Sequence, residues 1–288
     1  MNLEKVYILE NRGILFLHGK DCKDFLQNII TNDINKVSDN FSCFASLLSP
    51  QGKYLFDFII LKHKDGFFID CDKTILKDLY NQLNLYKLRS KVEILDLSNE
   101  FVIAAFGYEK YLSFKEAEDK EGYTFKFRED PIILDPRNKK LGGRLIINLE
   151  KLYLSLKKLN LYSSKIKEYI ELSHSLGVFQ NDTKKLQNKI FGLECNFDEL
   201  NGIDFKKGCY VGQENTSRMK LKNKLTKRLF PLIVKEGQIS ENESIFFENQ
   251  EVGKVLIDKD FPFGVMKVKN KINFENEYYT RNSRLKII

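Results

Sequence analysis

From Lys227 to the last residue the sequence carries no helical periodicity, only short alternating apolar runs separated by turn residues. The runs fall at 228–234, 244–248, 252–257, 263–268 and 276–280. A segment built only of short strands must pair them with one another, and a small barrel satisfies every edge. Residues 226–288 are therefore expected to form a C-terminal β-barrel module. Ahead of it, strand and helix patterns alternate, so the class is α+β followed by β. Residues 1–225 are read as one α+β region of two interwoven modules, approximately 1–97 and 98–225.

Within that region, residues 4–9 and 13–18 run apolar around Asn11-Arg12-Gly13, which predicts a hairpin. A helix follows with Phe25, Leu26, Ile29 and Ile30 on one face, Asp21 being placed to cap it. Strands are expected at 41–48, 53–63, 67–71 and 92–97, with a helix through Ile75, Leu79 and Leu83. The second module offers strands at 101–106, 123–127, 131–134 and 144–147, a short helix at 112–117 and a longer one from Ile166 to Leu176. Residues 191–210 carry Gly192, Gly202 and Gly208 with little periodicity, which predicts an ordered loop.

Charge excludes less than it first suggests. The chain holds 47 Lys+Arg against 40 Asp+Glu, a net +7, but only nine of the cations are Arg. A Lys-heavy, Arg-poor surface more often reflects a genome's codon bias than a phosphate-reading face. The densest run, Lys220–Arg228, is either a polyanion contact or a solvated connector. No apolar stretch approaches the roughly 18 residues of a membrane span. The start, Met1-Asn2-Leu3-Glu4-Lys5, lacks a basic-then-apolar export layout, so a cytoplasmic location and no membrane partner are expected.

Cys22, Cys43, Cys71, Cys195 and Cys209 are scattered, with no C-x-x-C pair, and His18, His63 and His174 make no metal-binding spacing. No resident metal is expected, and no disulfide framework. One cysteine stands apart. In Lys206-Lys207-Gly208-Cys209-Tyr210-Val211-Gly212-Gln213-Glu214, two glycines bracket Cys209 where the backbone must turn tightly or meet another chain or ligand. Two lysines precede it and a predicted helix over 213–220 follows, and both features favour thiolate over thiol. Composition and spacing leave open whether Cys209 is a reactive thiol or a structural residue in a Gly-rich turn.

The string K-G-C-Y-x-G-Q-E, with Asn201-Gly202-Ile203 and Phe205 ahead of it, resembles the signature of the YgfZ family. That family is the folate-binding, iron–sulfur-related branch of the aminomethyltransferase (glycine cleavage T-protein) superfamily. Further resemblance spans most of the chain: Gly19-Lys20-Asp21 with Phe25-Leu26-Gln27 and Thr31-Asn32-Asp33; Leu48 to Lys53 with Asp57; Tyr86 to Val92; and Asp135-Pro136-Arg137 with Leu141-Gly142. One departure is Gly192, where the family usually places a proline two residues before Glu194.

The resemblance implies three modules around a central opening that holds tetrahydrofolate or a derivative. It implies Asp57 as the carboxylate beside the reactive folate nitrogen, against a plain strand aspartate. It implies Tyr169 as an aromatic near folate, against core packing, and Arg12 as a pterin or tail contact. Arg89 and Lys91 become anion or interdomain contacts or salt-bridged residues. Glu194 and Glu214 hydrogen-bond a pterin edge or hold the signature loop. Cys209 becomes the reactive thiol. The implied role is an accessory factor for assembly or repair of iron–sulfur enzymes and, through them, tRNA modification. Its partners are folate, iron–sulfur assembly proteins and client enzymes; the net charge leaves direct tRNA contact open without supporting it. The alternative is an aminomethyltransferase passing a one-carbon unit to tetrahydrofolate. Competitive alkylation read by mass spectrometry should label Cys209 ahead of Cys22, Cys43, Cys71 and Cys195; equal or slower labelling refutes its special status.

Overall fold

The computed structural model describes residues 4–222, 225–268 and 273–288. Met1, Asn2 and Leu3 of the expected start, Asn223 and Lys224 of the basic run, and residues 269–272 of the expected barrel lie outside them. Two antiparallel-rich sheets stack face to face. The first has the order β3 (Cys43–Leu48), β4 (Tyr54–His63), β5 (Gly66–Asp72), β2 (Arg12–His18), β6 (Glu93–Asp96). The second runs β11 (Tyr162–Ser163), β1 (Lys5–Ile8), β7 (Phe101–Phe106), β10 (Gly143–Asn148), β9 (Asp130–Leu134), β8 (Thr124–Phe127).

Strand alternation assigns each face. In the first sheet Leu15, Leu17, Phe58, Ile60 and Ile69 point outward, under α1 (Cys22–Ile29) and α2 (Leu76–Lys87), with Phe25, Leu26 and Leu79. In the second, Ala104, Phe106, Ile132 and Leu145 pack beneath α3 (Tyr108–Leu112) and α4 (Leu152–Lys158). The inner faces meet through Ile14, Phe16, Ile59 and Phe68 on one side and Ile103, Ala105, Ile133 and Ile146 on the other. The order helix, sheet, sheet, helix explains why so many strands are buried on both faces. α5 (Ile166–Ser175) adds Tyr169 and Leu172 to this central layer.

The expected hairpin does not form. β1 pairs with β7 and β11, whereas β2 pairs with β5 and β6. The chain changes sheets across Leu9-Glu10-Asn11, with the Leu9 amide donating to Ile103 and that of Arg12 to Leu9. Both strands need burial on two faces, which a hairpin alone cannot supply. The short helix is also displaced, to α3, where Tyr111 is buried and Leu112 faces solvent.

The barrel closes in the order β12 (Lys227–Gly237), β15 (Phe263–Lys267), β14 (Gln250–Ile257), β13 (Ser244–Phe247), β16 (Glu277–Tyr279), β17 (Ser283–Ile287). The sixth strand, β17, is absent from the sequence reading; its Leu285 and Ile287 point into the barrel and pair it to β12. Among the described residues, no helix is long and apolar enough to cross a membrane.

Between the sheets lies a charged centre. Arg144 of β10, fully buried, donates to Asp70 of β5 at 2.6 Å, to Asp135 at 3.3 Å and to the Tyr169 hydroxyl at 3.0 Å. Asp70 also accepts from Arg12 at 2.6 Å, and Asp135 from Arg137 at 2.7 Å. Burial raises the Asp135 pKa, but the positive charges of Arg137 and Arg144 outweigh it, and the net shift is downward. Its ionised form therefore stabilises the fold above the ordinary carboxyl range, and that contribution fades as pH falls through the lowered value. Arg144→Leu strips both aspartates of a partner and should cost about 3–5 kcal/mol in urea unfolding. Lys139→Ala breaks an exposed pair with Asp119 and should change stability by less than about 1 kcal/mol. Similar values for the two variants would refute the network's role.

Candidate functional site

The signature loop is held by segments distant in sequence. The Thr31 hydroxyl donates to the Gly202 carbonyl at 2.6 Å, and the Asn32 amide donates to the carbonyls of Asn201 and Phe44, each at 2.7 Å. Asp204 pairs with Lys36 at 2.7 Å and accepts from the Lys206 amide at 2.7 Å. Thus the Thr31-Asn32-Asp33 segment forms the seat of the loop.

Lys207 drives the main anchor. Its Nζ turns inward and donates to the carbonyls of Gln27, Ile30 and Asn32 at 2.7, 2.6 and 3.0 Å. The first two lie at the C-terminal end of α1, where carbonyls lack helical partners and the helix dipole is negative, and Asn32 follows just beyond it. Burial pushes the ammonium down to about 8, with the charges of Asp33, Cys43 and Asp204 acting the other way. Lys207 is therefore committed to α1, contrary to the expectation that it stabilises a thiolate at Cys209.

The two glycines differ. Gly212 has φ +85°, and a Cβ there would stand 2.6 Å from the Ser49 carbonyl, against the Pro50-Gln51-Gly52 turn. A Cβ on Gly208 would meet nothing within 4 Å. Lys207 and Tyr210 are buried while Gly208 and Cys209 between them are exposed. α6 (Gln213–Leu221) begins directly after Gly212.

Cys209 is the exposed cysteine; the other four are buried. Burial pushes the Cys22 and Cys43 thiols up to about 12 and drives Cys71 and Cys195 up further. These four are chemically muted core residues.

The remaining expected site residues scatter. Arg12, Asp57 and Tyr169 come together at the inter-sheet centre, at 6%, 2% and 0% exposure. Asp57 accepts a 2.6 Å hydrogen bond from the Tyr54 hydroxyl. Burial raises its pKa, with Arg12 the strongest opposing charge. Glu194, nearly buried and with its pKa raised by burial, accepts from the Phe191 amide at 2.9 Å, while its own carbonyl accepts from Leu229 at the start of the barrel. It secures the 191–194 turn. Glu214 is exposed on α6, paired with Arg218 one turn on. Arg89 is exposed on the loop after α2, beside Leu88 and Ser90, and Lys91 is exposed with its amide bonded to Asp21. Neither Arg89 nor Glu214 joins the inter-sheet centre.

Sequence reasoning did not assign Asp70, Asp135, Arg137 and Arg144 to the centre. The available signal was a charge at an inward position of an apolar strand, as in Phe67-Phe68-Ile69-Asp70 and Arg144-Leu145-Ile146-Ile147. Nor did it assign Phe41, Phe44, Lys36 and Lys120, which with Glu121 and Asn201 line a cleft of about 500 Å³ beside the loop's seat. No group of three His, Cys, Asp or Glu side chains among the described residues is placed to hold a metal ion.

No protein-family model matches the chain. It is similar to a protein of Dictyostelium discoideum called iron-sulfur cluster assembly factor IBA57 homolog, mitochondrial: 30% identity over 267 residues, 83% of this chain and 65% of that one. A protein of the same name from Pyricularia oryzae is 31% identical over 236 residues, 78% of this chain and 56% of its own. The tRNA-modifying protein YgfZ of Buchnera aphidicola is 28% identical over 227 residues, 76% and 70% of the two chains. The chain thus spans less than two thirds of the length of the first two relatives. In fold it is similar to the glycine cleavage system aminomethyltransferase T of Bartonella henselae, with TM-score 0.75 and 12% identity over 98% of this chain and 84% of that one.

Lys207→Met takes the lysine donor from three carbonyls, those of Gln27 and Ile30 at the end of α1 and of Asn32 just beyond it. Urea unfolding should register a loss of about 2–4 kcal/mol. A variant as stable as the parent removes the anchoring role.

Proposed function

We propose that the chain is a member of the YgfZ family, in keeping with its similarity to the IBA57 homolog and YgfZ proteins, and that it is a tetrahydrofolate-binding accessory protein supporting assembly or repair of iron–sulfur enzymes and, through them, tRNA modification. The observation that carries this reading is the exposed Gly208-Cys209 pair between two anchored neighbours. Lys207 and Tyr210 fix the backbone on either side, so the thiol is held out at a defined place. Packing makes no demand for glycine at 208. A missing side chain there clears an approach for something large.

One exposed thiol supplies one ligand, whereas iron–sulfur clusters take about four. The complementary ligands come from a partner, an assembly protein or a client enzyme, with Cys209 completing or relaying a site shared between chains. The names of the relatives, an iron-sulfur cluster assembly factor and a tRNA-modifying protein, agree with this. Free, unpaired thiols suit a reducing compartment, and the cytoplasm is the proposed one.

Folate requires an aromatic surface for its pterin, polar groups for the pterin edge and cations for its glutamate. The buried centre does not offer these in accessible form: Arg12, Asp57 and Tyr169 are sealed and bonded to Asp70, Tyr54 and Arg144. The cleft beside the loop does, with Phe41, Asn201, Lys36 and Lys120 on its walls. When bound, tetrahydrofolate supplies a carrier of one-carbon units. The protein's own residues would hold and orient it. Sealing of Asp57 weighs against the aminomethyltransferase alternative, which needs that carboxylate beside the folate nitrogen.

Two variants test the role in a strain lacking the gene, with iron–sulfur enzyme activities as the readout. Cys209→Ala should leave those activities near the level of the deletion. Gly208→Val should keep the parent's unfolding free energy within about 0.5 kcal/mol, since a Cβ at 208 meets open space and the position is exposed, and still restore activity poorly. Full restoration by Cys209→Ala, or normal activities in the deletion strain, overturns the accessory role.

A further inference from the structure

We infer that the turn Lys87-Leu88-Arg89-Ser90 is a docking tip for an acidic protein surface bearing an apolar pocket, and that this protein is the one sharing the Cys209 site. The second half rests on the accessory reading above. The tip itself stands on its own geometry.

The Ser90 amide donates to the Lys87 carbonyl at 2.7 Å, closing a four-residue turn at the end of α2. Leu88 has φ +44° and ψ −108°, the region of the first central residue of a type II′ turn. That region suits glycine, and a bulky apolar residue held there is strained. Packing of the side chain offsets such strain where it is buried. Leu88 is 84% exposed, so in the free chain its side chain has no such packing. An exposed leucine alone is ordinary. An exposed leucine where glycine fits best is not.

The surroundings brace the turn. The Lys91 amide donates to the Asp21 carboxylate at 2.8 Å, the Val92 amide to the Ser90 carbonyl at 2.9 Å, and Lys87 Nζ to the Val92 carbonyl at 3.2 Å. These bonds pin the chain between α2 and β6 against the N-terminal end of α1. A braced tip loses little freedom when it binds, which favours a shaped receptor.

Charge defines the partner. Lys20, Lys23, Lys87, Arg89 and Lys91 stand at or beside the tip, and among the described residues none of the five forms an ion pair. The carboxylates of the same stretches are Asp21, Asp24 and Glu93, and two of them are engaged, Asp21 by the Lys91 amide and Glu93 by His18. Leucine asks for an apolar pocket, and the planar guanidinium of Arg89 for a carboxylate met by two parallel hydrogen bonds. The lysines around them select an acidic rim. Phosphates alone would satisfy the cations and leave Leu88 unburied.

One helix joins the tip to the thiol. Asp21, directly before α1, holds the turn, and the carbonyls of Gln27 and Ile30 at its other end hold Lys207 of the Cys209 loop. α1 has eight residues, so it spans about 12 Å. A standard interface covers about 800 Å² per partner, a patch roughly 30 Å across. Lys20, Lys23, Asp24 and Asn28 form an exposed stripe along the helix between the two ends. A single partner therefore reaches both tip and thiol.

Leu88→Gly and Arg89→Glu test the tip. In the purified chain Leu88→Gly should raise the thermal midpoint by a few degrees, because relief of strain exceeds the added freedom of the unfolded chain. Arg89→Glu should stay within about 2 °C of the parent. In the strain lacking the gene, both should restore iron–sulfur enzyme activities to about a third of the parent's level or less. Higher stability with lower activity is a combination that a purely structural turn does not produce. Benzoylphenylalanine in place of Leu88, irradiated in living cells, should form an adduct with an acidic protein. That protein, purified, should bind Arg89→Glu at least tenfold more weakly than the parent by calorimetry, the size of one charged contact. An adduct with RNA, or retention on phosphatidylserine vesicles that Leu88→Gly abolishes, overturns the inference. Parental activity in both variants, with Cys209→Ala inactive, overturns the tip and leaves the accessory reading intact. Normal activities in the deletion strain remove the accessory reading, and the adduct and the calorimetry then decide the tip.

Discussion

Three arginines and two aspartates, sealed between two sheets, set the constraint on which the rest of the molecule depends. Asp70 bridges Arg12 and Arg144, and Asp135 bridges Arg144 and Arg137. Such a cluster contributes little net stability compared with apolar packing, because desolvation offsets most of the attraction. What it fixes is register. Charges from β2, β5 and β10 can all be satisfied in one relative placement of the sheets, and a slip by a strand position would leave a bare ion in the core. With β1 in one sheet and β2 in the other, the chain also ties the layers covalently three residues from Arg12.

That rigid frame explains how a loop of little regular structure can present a thiol at a defined position. The segment 201–212 is seated on the end of α1 by Lys207, on Thr31 and Asn32 by backbone groups, and on the Pro50-Gln51-Gly52 turn by Gly212. Segments that look unrelated along the chain are the receptor for the loop. The loop's fixed lysine, tyrosine and second glycine therefore answer to packing. Gly208 and Cys209 do not, and they face outward. The division between residues that hold and residues that face a partner runs between adjacent positions.

Much of the fold was legible in the sequence because period and turn chemistry report local structure directly. The strands over β3, β4, β5 and β7, the two helices on the first sheet and the barrel's β character follow from alternation and apolar spacing. Pairing partners do not. Residues 4–18 read as a hairpin because alternation says that a strand exists and is silent on its neighbour; the partners lie near residues 69 and 104. The strand β17 was hidden because Arg284 and Lys286 leave only two inward apolar residues. At the site, Cys209 stood out through its glycines. Lys207 was misplaced because nothing local shows whether a long side chain turns toward its neighbour or toward a helix end 180 residues earlier. The inter-sheet charges and the cleft emerge only when distant strands are brought together.

Joined, these features describe a protein that offers one thiol, keeps four others out of reach and places a cleft against the thiol's supports. On the proposed reading, Cys209 serves a cluster site shared with another chain. Anaerobic incubation of the purified chain with iron and sulfide, followed by counting both per chain, tests this most directly. One accessible thiol predicts no stoichiometric cluster on the chain alone. A stable cluster at one per chain, persisting in a Cys209→Ser variant, would contradict it.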